Sequence, residues 1–343
     1  MLRLDNAFFR SLAGGLPRIT TGLERGADGV LYFRGLVLTA PSIRLAGNGY
    51  RRRDGSFHFE GSGTQASYGP VRLVLDGRID KPTLDLQFAR PNAALGLSAV
   101  RAHLDPTPQG FAFQAAGGSR LGPFAGHGAI LLPSGGQASI VVDDLSVASS
   151  HARGTIGIVA GGFDGRLLVS GGGITGPIIF RPDGTVQRIE AHLDARAARL
   201  GSAATIRQGH LDLDLLLDPA GTVLRATVSG QGLRRGALSL ARFGGSARLT
   251  GGVGEVRASA SGSRGRAFDL QTAIQVGADR YTAVAQGTLD RRPLKLLEPA
   301  TVTREEEGWR LAPTRLGFAG GEATVAGRLG TAGVAIEAGL TRL

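Results

Sequence analysis

Residues 71–88, VRLVLDGRIDKPTLDLQF, constrain the fold more than any other stretch. Val71, Leu73, Leu75 and Ile79 are apolar in one parity, with Arg72, Asp76, Arg78 and Asp80 in the other. After Lys81-Pro82 the beat resumes, with Leu84, Leu86 and Phe88 against Thr83, Asp85 and Gln87. Side chains alternate faces along a strand, so a period of two gives each strand one oily and one wet face. Pro82, which lacks a backbone donor, is expected at the turn between the two runs.

The same unit recurs along the chain. Leu211, Leu213, Leu215 and Leu217 oppose Asp212 and Asp214, and Pro219-Ala220-Gly221 turns the run into Val223. Phe268, Leu270, Ile274 and Val276 oppose Asp269, Gln271 and Gln275, and Asp279-Arg280 leads into Tyr281. Asp54-Gly55, Pro133 to Gly136, Pro182-Asp183-Gly184 and Gly330 to Gly333 mark further hairpins. Strand–turn–strand at a spacing of roughly 8–12 residues, without intervening helical periodicity, predicts an all-β chain of antiparallel hairpins. One short helix is expected over 4–12, with Asp5 as cap and Gly14-Gly15 as stop. The glycine-rich stretches are short enough to be turns. The expected organisation is therefore a lead-in over 1–25 and one continuous, repeat-like β array over 26–343.

Composition decides what such an array can be. Glycine makes up 55 of 343 residues, and there are one Trp and four Tyr, so the chain has few bulky side chains for a thick core. Two architectures satisfy strands with one apolar face: a sandwich of two sheets, or one long, twisted sheet curved into an open trough with an apolar concave face. The Leu, Val, Ile, Ala and Gly lining favours the trough. Its candidate lining residues are Val71, Leu73, Leu75, Ile79, Leu84, Leu86, Phe88, Leu211, Leu213, Leu215, Leu217, Phe268, Leu270, Ile274 and Val276. An exposed apolar surface of that length marks a ligand or partner site. An acyl chain lying there would gain roughly 0.8 kcal/mol per shielded methylene.

The formal charge is +11, carried almost entirely by arginine, since Lys81 and Lys295 are the only lysines. These arginines are scattered through polar parities and turns without interleaved aromatics, which argues against a nucleic-acid surface. Arg51-Arg52-Arg53 precedes Asp54-Gly55 and reads as a solvated hairpin tip, and attraction to anionic lipid headgroups stays open. Cysteine is absent, so there is neither a disulfide framework nor thiolate chemistry. No apolar run approaches the length of a transmembrane helix, and the N-terminus does not read as a signal peptide.

Catalytic patterns are missing. Gly171, Gly173 and Gly176 spell GxGxxG, but Pro177-Ile178-Ile179-Phe180 follows where a phosphate-binding helix would have to start. The six histidines are dispersed without helix-face ligand spacing, which gives no metal site. Asp143-Asp144, Asp212 with Asp214, and Glu305-Glu306-Glu307 are acidic candidates that read as solvated charge. Neither a cofactor nor enzymatic activity is expected.

The segment Arg291 to Gly330 carries Pro293-Leu294, Pro299-Ala300-Thr301-Val302, Gly308-Trp309, Gly320-Gly321 and Gly327-Arg328-Leu329. In these features it resembles the family of the translocation and assembly module subunit TamB and its AsmA-like relatives. The opening unit LVLDGRIDKPTLDLQF is similar to that family's strand–turn–strand repeats. The resemblance implies a taco-like β-trough in the periplasm of a Gram-negative bacterium, anchored to the inner membrane by an N-terminal helix that this chain lacks. It implies transport of phospholipid or another acyl lipid toward the outer membrane, or a role in outer-membrane protein assembly with a TamA- or BamA-like barrel partner. On this reading the chain is an internal segment of a longer protein. A β-rich adhesin or stalk is the remaining expectation, although no strict sequence period supports it.

Overall fold

In the computed structural model, residues 14–66, 68–78, 81–91, 96–133, 135–160, 162–200, 204–306, 308–330 and 333–342 are described. The helix expected over 4–12 lies outside them, as does Ile79. Among the described residues the chain is all-β: 25 strands belong to one antiparallel sheet, and there is no helix. The chain divides into two compact units, Met1–Val169 and Ser170–Leu343.

The first unit holds β1 (Arg18–Arg25), β2 (Leu31–Ala40), β3 (Ile43–Arg51), β4 (Ser56–Gln65), β5 (Gly69–Arg78) and β6 (Lys81–Phe88). It continues with β7 (Ser98–Thr107), β8 (Gly110–Ser119), β9 (Gly122–Leu131), β10 (Ser139–Val147), β11 (Ser150–Val159) and β12 (Gly162–Ser170). Register follows the alternation. In the hairpin β5–β6, Val71 faces Phe88, Leu73 faces Leu86 and Leu75 faces Leu84, so the large apolar side chains of that parity meet one another. From Leu75 an apolar row runs back through Phe59 and Gly49 to Phe33 on β2. In the other direction it crosses Leu84, Leu104, Phe113, Gly128 and Val142 to Gly154 on β11. Ten strands thus share one uninterrupted apolar line.

Pro82 is not in the turn, as its sequence context predicts, but inside β6 opposite Gly77. Its missing donor does no harm there, because the ladder with β7 begins only at Leu84. In β10 the register shifts between Val142 and Leu145, so Ile140 and Val142 share a face with Leu145 and Val147 despite the change of parity. Such an extra residue is a β-bulge, and Asp143-Asp144 supplies it.

The second unit holds β13 (Ile174–Asp183), β14 (Val186–Leu200), β15 (Ala204–Leu217), β16 (Val223–Arg235), β17 (Leu238–Thr250) and β18 (Val253–Arg264). It goes on through β19 (Arg266–Val276), β20 (Arg280–Leu289), β21 (Arg292–Leu296), β22 (Ala300–Glu305), β23 (Gly308–Phe318), β24 (Gly321–Gly330) and β25 (Gly333–Arg342). β21 and β22 act as one strand interrupted at 297–299, since both pair with β20 on one side and with β23 on the other. Its apolar row starts at Phe180 and crosses Ile189, Leu215, Leu224, Leu249 and Gly254. It then crosses Val276, Tyr281, Val302, Leu311 and Gly327 to reach Ile336 on β25.

The row survives a change of parity in neighbouring strands. On β16 the apolar positions are Leu224, Ala226 and Val228, then Leu233 beyond Gly232, whose φ of +69° is left-handed. Ala197 on β14 has a φ of +48°, and the fully buried Ala198 follows it. On β17 the register shifts at Ala241 between Leu240 and Arg242. These irregularities keep the oily side continuous where a strict period of two would have turned it over.

Candidate functional site

The apolar face is the candidate site, and its two portions differ in exposure. In the first unit, Val71 and Leu84 are buried, whereas Leu73, Leu75, Leu86 and Phe88 are half-buried. Leu84 packs with Leu104, Phe111 and Ile130 in a buried cluster that Leu73, Leu86 and Phe113 flank. In the second unit, Leu211, Leu213 and Leu215 on β15 are half-buried and Leu217 is exposed. Phe268, Leu270, Ile274 and Val276 on β19 are half-buried and face Leu289, Gly287, Ala283 and Tyr281. A sheet normally buries such a face against another layer. Among the described residues there is no helix and no second sheet to supply one.

The opposite face is wet and charge-paired. Five of the six histidines contact an aspartate: His58–Asp76 at 2.6 Å, His103–Asp85 at 2.7 Å, His151–Asp144 at 2.9 Å, His192–Asp212 at 2.7 Å and His210–Asp194 at 2.9 Å. His210 also places Nε2 2.8 Å from Asp212, so both of its ring nitrogens donate to carboxylates. That geometry requires the imidazolium. Hydrogen bonds donated to Asp194 and then to Asp212 accordingly raise the His210 pKa, and His192 with His210 holds Asp212 below the usual carboxylate range. His103 repeats the device between Asp85 and Asp105, the Asp85 hydrogen bond raising its pKa. Both histidines open the tripeptide His-Leu-Asp, which also occurs at 192–194. That repeat is the signal by which the pairing could have been found in the sequence.

Asp214 and Glu305 are likewise partnered, and Glu307 lies outside the described residues. Asp214 lies 3.1 Å from Arg188 and 3.8 Å from Arg225, and Glu305 sits between Arg310 and Arg328. A depression of about 740 Å³ on the wet face of the first unit is bordered by His103, Gln114, His127 and Asp144 over a floor of Ala112, Ala116 and Ala125. Small side chains between larger ones account for it. Among the described residues no three His, Asp or Glu side chains converge to hold a metal ion. Gly176, the last glycine of the GxGxxG string, lies within strand β13, so no helix N-terminus stands there for a phosphate.

No helix among the described residues is long and apolar enough to cross a membrane. Set beside known proteins, the chain matches no family model, no curated protein and no solved structure.

Proposed function

We propose that this chain is a lipid-carrying segment of a periplasm-spanning bridge of the TamB and AsmA-like kind, its sheet curving into a trough that shields acyl chains. The observation that supports it is the apolar row of the second unit, continuous from Phe180 to Ile336 and half-buried over most of its length, with no helix or second sheet among the described residues to cover it. Aliphatic side chains repeating at strand spacing offer many nearly equivalent positions to a hydrocarbon chain. Such a surface suits sliding better than capture in one pocket. Each shielded methylene contributes roughly 0.8 kcal/mol, so several hold a lipid without trapping it. In this reading the wet face, with its His–Asp and Arg–Asp pairs, is turned to solvent.

Lipid extraction and native mass spectrometry of the purified chain test the proposal, with co-purified phospholipid as the expected result. Leu213→Asp combined with Leu215→Asp should abolish uptake of a fluorescent phospholipid while circular dichroism still reports β-sheet. A lipid-free protein that excludes the phospholipid, or a folded double variant that takes it up normally, defeats the proposal.

A further inference from the structure

The two margins of the second unit, where its hairpins turn, carry opposite charge. Along one margin, the turns and the two residues flanking each hold Arg199, Arg234, Arg235, Arg264, Arg266, Arg291 and Arg292 against Asp290 and Glu322. Along the other they hold Asp183, Asp218, Asp279, Glu305 and Glu306 against Arg280 and Arg304. The acidic margin is partly neutralised, Asp183 by Arg188 and Glu305 by Arg310 and Arg328. All seven arginines of the basic margin are exposed, and among the described residues none forms an ion pair.

Four of them belong to the oily side. Arg235 follows Leu233 on the apolar parity of β16, and Arg264 follows Gly262 on β18. Arg266 precedes Phe268 on β19, and Arg292 faces Leu289. Arg264 and Arg266 also face each other directly, a like-charge pair that is unfavourable unless an anion sits between them. The row immediately inside Arg235, Arg264 and Arg266, Leu233–Leu240–Gly262–Phe268–Leu289, is apolar and runs into Arg292 at its end. A cation and a hydrocarbon surface thus stand about 7 Å apart, two residues along a strand.

Resting on the lipid-carrying reading above, we infer that the second unit takes phosphate-bearing glycerolipids in one orientation. The phosphate sits on Arg235, Arg264, Arg266 and Arg292, and the acyl chains run along the strands toward the acidic margin. Guanidinium groups suit phosphate because they present several fixed donors to its oxygens.

The test compares a fluorescent phosphatidylglycerol with a diacylglycerol of the same acyl chains, using the 343-residue protein. The intact chain should bind the phosphatidylglycerol about ten-fold more tightly, the sum of several exposed charge contacts. Replacing the four arginines with glutamine should erase that preference and leave diacylglycerol binding unchanged, which also shows that the variant is folded. Asp218→Asn with Asp279→Asn should leave the preference intact. Equal binding of the two lipids by the intact chain, or a preference that persists in the glutamine variant, overturns the inference while lipid carriage stands. Failure to bind either lipid removes both. Self-association that the same glutamines abolish, with the phosphatidylglycerol preference retained, would assign the margin to the acidic margin of a second copy and overturn it as well.

Discussion

The two units follow one alternating pattern and make different surfaces from it. In the first, strands run 8–10 residues, and twelve apolar side chains from Leu36 to Leu167 are buried, Leu45 and Leu104 to 3% exposure. In the second, β14 to β18 run 12–15 residues, and the only buried apolar residues among those described are Ala191, Ala198, Ile206 and Ala300. The aromatic groups explain part of the contrast. Phe59 and Phe113 stand in the first unit's row and Phe111 packs beside it, whereas glycine and alanine occupy many of the corresponding places in β17 and β18. Periodicity therefore decides that a face is apolar; side-chain size and strand length decide how far it is shielded.

The most direct way to break this comparison is to truncate one leucine in each unit. Leu104→Ala should cost about 2–4 kcal/mol, because its neighbours already enclose it and a cavity remains. Leu213→Ala, at a half-exposed site, should cost about 1 kcal/mol. Equal losses by chemical denaturation would show that the second face is as shielded as the first.

Glycine substitutions sharpen the same point with a smaller effect. A Cβ at Gly128 would run into the Val141 carbonyl and come within 3.0 Å of the Phe113 ring, so Gly128→Ala should destabilise by about 1–3 kcal/mol. At Gly245 the nearest atoms are the Arg257 carbonyl at 3.0 Å and a Val228 methyl at 3.6 Å, and Gly245→Ala should cost less than half as much. Comparable melting-temperature shifts for the two variants would count against the difference in packing.

The smallest effect is on pH dependence, and here the units should agree. The pKa of His103 and of His210 is raised in the folded state. The stability each contributes is therefore full below the ordinary value of 6.5 and is lost as pH rises through the raised one. Asp212, lowered, contributes above its ordinary 3.8 and loses that contribution as pH falls through its own folded value. His103→Asn and His210→Asn should each lower the melting temperature at pH 6 more than at pH 9. NMR titration should place both imidazole midpoints above 6.5. A variant penalty independent of pH, or midpoints at or below the ordinary value, would refute the imidazolium assignment.

The β5–β6 hairpin was legible because large apolar residues mark one parity throughout. β17 and β18 were not. Gly254, Ala258, Ala260 and Gly262 mark a face too faintly, and the irregularity at Ala241 reverses the parity midway. Pro82 misled because its consequence depends on where the next ladder begins, which is a matter of register. The cross-strand His–Asp pairs were hidden for the same reason, because the His-Leu-Asp repeat marks only the contact within a strand. His103 and Asp85 are 18 residues apart, and only the register of β6 against β7 sets them opposite each other. Of the candidate lining residues, the alternation gave the shared face. It carried no information on which would be enclosed, since enclosure depends on the strands to either side.

Because paired strands within each unit are neighbours or next neighbours in the chain, sequence separation between partners stays low. Stability in such an array is close to a sum of hairpin terms and nearest-neighbour couplings, and ordering can start at any hairpin and spread. A lesion at one rung then frays its surroundings while distant rungs hold. Length can also change by whole hairpins, each gain or loss of two strands moving the array by roughly 10 Å without disturbing the register elsewhere.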